Sequence, residues 1–132
     1  MGANEFKGRR EDQRLVTGNG RYTSDVNMPG QVYAHFVRAD RAHAKLLSVD
    51  VSAAKAHPGV IAVYTGKETG PMKPQGQAVN YPGRDGKQII VPPRYPFAQD
   101  RVRCIGEEIA VVIAESAAIA QDAAEQIVVE YE

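Results

Sequence analysis

Cysteine is nearly absent from this chain of 132 residues: Cys104 stands alone, so no internal disulfide can form, and a disulfide scaffold is excluded. Tryptophan is missing altogether, and aromatic residues make up only 7%. There is no charge of one sign to exploit either. Sixteen basic residues balance sixteen acidic ones, whereas a nucleic-acid binder usually carries a basic excess. No apolar run approaches the roughly 20 residues of a membrane span. The start, Met1 to Lys7, lacks the apolar core of a secretory signal. These absences leave a soluble protein that is expected in the cytoplasm and touches neither membrane nor nucleic acid.

What is present is ordinary globular material. Hydrophobic residues are 43% and charged residues 24%, a composition unlike that of a disordered chain. The length suits one domain, which at this size buries roughly two-thirds of its extended-chain surface.

Glycine and proline divide the chain. Lys7 to Arg14 is charged and aperiodic and reads as an arm or loop, followed by a turn at Thr17-Gly18-Asn19-Gly20. Pro29-Gly30 turns into a strand over Gln31–Arg38, apolar on both parities and therefore expected to be largely buried. Leu46–Val51 is a second strand. Six of the eight prolines fall between Pro71 and Pro96, joined by Gly66, Gly70, Gly76, Gly83 and Gly86. Regular structure is not expected over Thr65–Pro96, beyond a short strand at Gln88–Val91.

Two stretches share a pattern. Val49-Asp50-Val51 leads through Ser52-Ala53-Ala54 to Val60–Tyr64, and Ile109–Ala114 leads through Ser116-Ala117-Ala118 to Ile127–Tyr131. Both read strand–helix–strand, with Ser52 and Ser116 as helix N-caps. Pro58-Gly59 stops the first helix, where the His57 charge suits the C-terminal dipole. The second helix runs to about Gln126, buries Ile119, Ala120, Ala123 and Ile127, and is long enough for a crossover between parallel strands. The first crossover is short for that task. Duplication or common α/β grammar could give the likeness, and the second is expected. Ile109–Ala114 is continuously apolar, as suits a strand covered on both faces. The fold class is α+β, with a mixed sheet, two strand–helix–strand units and a long Pro/Gly-rich loop.

Chemistry is sparse. Gly18-Asn19-Gly20 would need a third glycine at position 23, which is Thr23, to match a dinucleotide loop. His35, His43 and His57 match no zinc spacing, and Cys104 adds no Cys-x-x-Cys. Cys104 reads as a half-buried structural thiol on a strand, slow to react. Glu107-Glu108 reads as a solvated strand entry whose carboxylates face opposite sides. No residue is assigned as catalytic, cofactor-binding or metal-ligating.

The order of turns and charges nevertheless carries a resemblance. Arg9-Arg10-Glu11-Asp12, Arg14-Leu15, Thr17-Gly18-x-Gly20-Arg21-Tyr22, Asp25 and Pro29-Gly30 open it. Phe36-Val37-Arg38, Ala42-His43-Ala44, Pro58-Gly59-Val60 and Tyr64-Thr65-Gly66 continue it. Val102-Arg103-x-Ile105-Gly106-Glu107-x-Ile109-Ala110, Ala114-Glu115, Asp122-Ala123-Ala124-Glu125 and Val129-Glu130-Tyr131-Glu132 close it. In this order they resemble the start of molybdenum hydroxylase large subunits, the family of xanthine dehydrogenase, aldehyde oxidase and aerobic carbon monoxide dehydrogenase. Departures fall at Ala39-Asp40-Arg41, Cys104 and Glu108.

The resemblance implies an α/β-hammerhead domain over residues 21–132, preceded by an arm, residues 1–20. It implies a parent oxidoreductase that hydroxylates an aldehyde or N-heterocycle, or oxidises carbon monoxide. That parent would use a molybdenum–molybdopterin cofactor, in the cytosine dinucleotide form, with iron–sulfur and FAD subunits or domains as partners. The family's catalytic glutamate and pterin loops lie beyond this domain, so the isolated chain is expected to be inactive and to carry no cofactor. The close at Tyr131-Glu132, where the family continues, favours a portion of a large subunit over an independent binding or assembly module. The arm Lys7–Gly20, through Arg9, Arg10 and Arg14, is expected to help dock the domain on the rest of the subunit, and the isolated chain could form a weak homodimer.

Overall fold

The computed structural model describes residues 8–70, 72–76, 81–87, 89 and 91–132, and the chain falls into two units that meet between Gln31 and Val32. The first contains a short helix, α1 (Asp12–Val16), where the sequence suggested only an arm or loop. Its start is fixed by the Asp12 carboxylate, which accepts from Arg9 N–H at 2.8 Å, a local signal that periodicity does not register. Thr17 and Gly18 end it, Gly18 at φ +75°. A 3-10 turn follows at Thr23–Asp25, closed by Asp25 accepting from Tyr22 N–H. No described residue of this unit is buried, so it has no core of its own.

The second unit contains β1 (Tyr33–Arg38), β2 (Ala44–Asp50), α2 (Ser52–Ala56), β3 (Val60–Thr65), α3 (Gly66–Thr69), β4 (Arg101–Val102), β5 (Glu108–Ala114), α4 (Ala117–Ala124) and β6 (Val128–Tyr131). In place of one mixed sheet there are two sheets of three strands, ordered β1-β5-β3 and β4-β2-β6, and every pairing in them is antiparallel. The reason lies in where the helices lead. Segment β2–α2–β3 passes from the second sheet to the first, and β5–α4–β6 passes back. The strands flanking a helix therefore never pair, and α4 is not a parallel crossover. The shortness of the first link, read as unfit for parallel neighbours, agrees with this. The two segments instead pair reciprocally, β3 with β5 and β2 with β6.

β5 is the central strand of the first sheet and is buried along nearly its whole length, as its apolar run required. β1 is an edge strand and alternates half-buried with exposed, so the expectation of a largely buried strand is corrected. One face of this sheet carries His35, Val112 and Val63 in a row, and Val37, Ala110 and Thr65 in the next. α2 and α4 cover that face. Ala54, Ala123 and Ala124 pack there against Val63 and Val112, since alanine lets helix and sheet backbones approach closely. A second cluster joins the sheets: Ile109 of β5 meets Ala39, Ala44, Ala98 and Val102, flanked by Leu46, Val49, Val129 and Tyr131.

The helix ends separate two caps that look alike in sequence. Ser116 does cap α4, its Oγ accepting from Ile119 N–H at 3.2 Å. Ser52 does not cap α2. Asp50 stands two residues earlier and its Oδ1 accepts both Ser52 N–H, at 2.9 Å, and Ser52 Oγ–H, at 2.7 Å. The Ser52 hydroxyl is thus engaged as a donor to the Asp50 carboxylate rather than as a cap acceptor. α4 ends at Ala124 rather than Gln126, and of its expected core residues Ala120 and Ala123 are fully buried while Ile119 and Ile127 are half-buried.

α3 lies where the sequence suggested only loop. It carries a capping box: Glu68 Oε2 accepts from Thr65 N–H at 2.8 Å and from the Thr65 hydroxyl, while Thr65 Oγ1 accepts from Lys67 N–H. The hydrogen bond from the Thr65 side chain holds the Glu68 carboxyl below its ordinary value of 4.5. A depressed folded value means that the stability it gives is present above the ordinary value and is lost as pH falls through the folded one. Glu68→Gln, which keeps the acceptor but not the charge, should therefore lower the unfolding temperature slightly at neutral pH. The gap to wild type should narrow as pH falls below 4.5 and through the lower folded value. A gap that widens on acidification would contradict this.

Beyond Gly70 the described residues to Pro96 show only an isolated bridge at Pro82 and a 3-10 turn at Arg84–Gly86. The strand suggested at Gln88–Val91 falls partly outside the described residues, and Ile89 and Val91 belong to no strand. No helix among the described residues is long and apolar enough to cross a membrane.

Candidate functional site

The residues with the most chemistry do not converge. His35 sits half-buried on β1 opposite Val112, as a packed strand residue. His43 is exposed in the bend before β2. His57 caps the C-terminus of α2, its Nδ1 3.0 Å from the Pro58 carbonyl oxygen. Gly18-Asn19-Gly20 closes α1, with Asn19 N–H donating to the Arg14 carbonyl at 2.9 Å, and is a plain turn. Among the described residues no three of His, Cys, Asp and Glu are placed to hold a metal ion.

A groove of about 500 Å³ in the second unit has both charged and apolar lining. Pro92, Pro93 and Tyr95 form one wall, and the turn from Arg103 to Glu108 forms the other, with Arg94 at the rim. The turn is tightly specified. Gly106 adopts φ +87° and donates its N–H to the Ala39 carbonyl at 2.8 Å, and Glu107 N–H donates to the Cys104 carbonyl. The Glu107 carboxylate accepts from Arg103 N–H and lies 3.6 Å from the Arg103 guanidinium, which also reaches Asp100 at 3.2 Å. Arg38 Nη1 donates to the Gly106 carbonyl at 2.9 Å and to Glu108 at 2.6 Å.

The reading of Glu107 and Glu108 as a solvated strand entry is corrected: both line the groove, each engages a different arginine, and Glu107 is half-buried. Glu107 lies beside Arg103 and Glu108 pairs with Arg38. The groove is a surface scaffolded by these pairs.

Cys104 is also corrected. It lies at an exposed bend in this turn, not on a strand, because β4 ends at Val102. Its thiol should therefore react with Ellman's reagent in the native 132-residue chain within a few-fold of the rate in denaturant, since accessibility rather than packing sets the rate. A native rate slower by orders of magnitude would show the thiol covered.

The comparisons agree with the sequence and the fold. Residues 17–132 match the family described as the aldehyde oxidase and xanthine dehydrogenase a/b hammerhead domain. The nicotine 6-hydroxylase large subunit of Paenarthrobacter nicotinovorans is 39% identical over 124 residues, 94% of this chain and 15% of that one. The crystal structure of quinoline 2-oxidoreductase from Pseudomonas putida 86 superposes with a TM-score of 0.82 at 39% identity, covering 94% of this chain and 15% of that one. A Cu,Mo-CO dehydrogenase structure, in its carbon monoxide reduced state, gives 0.75 at 36% identity, with 96% and 15% covered. The chain thus spans a small part of the length of the relatives it matches. It belongs to the a/b hammerhead domain family of aldehyde oxidase and xanthine dehydrogenase.

Proposed function

We propose that this chain is the N-terminal structural domain of a molybdopterin-dependent hydroxylase large subunit, and that it carries out no chemistry itself. The observation that supports this most directly is the asymmetry of coverage: 94% of this chain aligns with only 15% of a nicotine hydroxylase subunit. The parent would hydroxylate an aldehyde or an N-heterocycle, or oxidise carbon monoxide, in the cytoplasm. Its molybdenum–molybdopterin, in the cytosine dinucleotide form, would be held by later domains of the same subunit, with iron–sulfur and FAD subunits passing electrons onward. The donor set here does not fit such a group: the one thiol is solitary, the histidines are scattered, and the carboxylates of the groove are engaged by arginines. No step of the reaction is assigned to this domain. Residues 1–20 would act as an arm and 21–132 as the domain proper, with Arg9, Arg10 and Arg14 offering donors to the rest of the subunit.

The test is expression of the intact reading frame that contains this domain beside the 132-residue chain alone. The intact subunit, with its partner subunits, should contain near-stoichiometric molybdenum and oxidise a substrate of one of these classes. The chain alone should contain none and be inactive. Molybdenum bound to the chain alone, or an intact subunit without it, would overturn the reading.

A further inference from the structure

The two sheets of the second unit differ in chemistry on the faces that no helix of that unit covers. On the second sheet, Lys45, Ser48 and Asp50 of β2 point the same way as Glu130 of β6 and Arg101 of β4. Lys45 pairs with Glu132 at 2.9 Å, and Ser48 donates to Glu130 at 2.8 Å. Its polar groups thus pair among themselves, around one exposed apolar residue, Val128 opposite Asp50. The first sheet is the reverse. Register places Phe36, Val111 and Tyr64 in one row across its three strands, and Ala34, Ile113 and Ala62 in the next. These are the parity opposite to the helix-covered residues, and every one of them is apolar or aromatic. Phe36 and Tyr64 each remain 44% exposed and Ala34 is exposed, Ala62 and Ile113 are half-buried, and Val111 at the centre is buried between its neighbours. Phe97 stacks on Phe36 at one margin, with ring centroids 6.3 Å apart. Arg38 stands over Phe36 and pairs with Glu108, which also lines the groove. The apolar face is thus continuous with the groove wall and bounded on that side by a charged pair, the arrangement of an interface centre with a polar rim.

We infer that this face of the β1-β5-β3 sheet is the surface on which the remainder of the same large subunit packs, and that its occupant is an apolar segment of that polypeptide. The inference rests on the domain reading above. Two features choose this occupant over a separate protein. The domain makes up only 15% of the chains it matches, so most of the polypeptide in those relatives lies outside it. The face also carries no charge within its two rows, as expected of a permanent intramolecular contact rather than of a transient one steered by charge.

The experiment reads accessibility directly. In a Cys104→Ser background, Ala34→Cys and Tyr64→Cys place single thiols on the apolar face, and Leu47→Cys places one on the second sheet, at a residue 56% exposed. Each is labelled with a maleimide in the 132-residue chain and in the intact, assembled large subunit. Thiols at 34 and 64 should react readily in the chain and about tenfold or more slowly in the intact subunit, as buried thiols do. The thiol at 47 should react alike in both. Equal reactivity of 34 and 64 in the two proteins would overturn the inference while leaving the domain reading, which molybdenum content tests, untouched. Protection of 34 and 64 already present in the chain, and lost on dilution, would overturn it in favour of a second copy of the chain. Ala34→Cys is a small change on an edge strand, so its result stands even where Tyr64→Cys disturbs folding.

Discussion

Replacing Gly66 with alanine should cost this domain about 1–3 kcal/mol, a fall of several degrees in unfolding temperature. The residue is buried at the first position of α3, directly after the capping Thr65. A Cβ there would overlap the Ala98 carbonyl oxygen, with the Ala98 carbon at 3.1 Å and Gln99 Cα at 3.2 Å. Neither side can yield cheaply. Thr65 is held in register with Ala110 of the central strand, and Ala98 N–H donates to the Glu108 carbonyl at 2.7 Å. Alanine would recover up to about 1 kcal/mol of helix propensity. That gain is smaller than the cost of displacing backbone against backbone, so the net effect is loss. Gly76→Ala is the matched control, because nothing lies within 4 Å of its Cβ and its φ is not positive. Thermal melts of the two variants should separate clearly. A Gly66→Ala protein as stable as Gly76→Ala would mean that the contact between α3 and residues 98–99 is loose.

Gly66 also shows where sequence reading fell short. It stood in the quoted Tyr64-Thr65-Gly66 match, yet by composition it belonged to the Pro/Gly-rich stretch, and composition suggested loop. The signal that identifies α3 is the Thr65-x-x-Glu68 capping box, which acts over three residues and is invisible to a count of glycines and prolines. The central strand was legible because six consecutive apolar residues can be satisfied only by cover on both faces. The two strand–helix–strand segments were legible for the same local reasons. Their division between two antiparallel sheets was not, because pairing joins residues far apart in sequence, such as Leu46 and Tyr131, and no local pattern records that choice. The edge position of β1 was misread because both parities carry apolar residues. One set faces the helices and the other forms the open face, and the sequence alone does not tell a helix-covered face from one left for a neighbour. Cys104 was misplaced by two residues' worth of strand. The turn at Gly106 starts sooner than the β-branched flanks suggest, because Glu107 folds back to Arg103 N–H. The arginine partners of Glu107 and Glu108 were not legible, because Arg38 lies seventy residues away from Glu108 and the turn that brings Arg103 to Glu107 has no periodic signature.

The second large effect is expected at Ile109, where truncation should loosen the join between the sheets rather than either sheet alone. Its side chain is 1% exposed and is among the largest fully buried ones. It lies at the register shift in which β1 passes from Val37 opposite Ala110 to Arg38 opposite Glu108, so it has no direct cross-strand partner. Freed from the ladder's alternation, it turns into the cluster of Ala39, Ala44, Ala98 and Val102, beside Leu46 and Val129 of the second sheet. Three of those neighbours are alanines, whose side chains have no rotamers with which to fill a void. Ile109→Ala should therefore fall toward the upper part of the usual range of about 2–5 kcal/mol for such truncations, and Ile109→Val near 0.5–1.5 kcal/mol. Denaturant titration gives both values. Amide exchange then separates this role from generic core loss. Protection of β2 and β6 should fall further than protection of β3, because β3 is held to β5 through Val63 and Val112 under the helices and does not depend on this cluster. A uniform loss across both sheets, or a cost below about 1 kcal/mol, would show that the second sheet is fastened elsewhere.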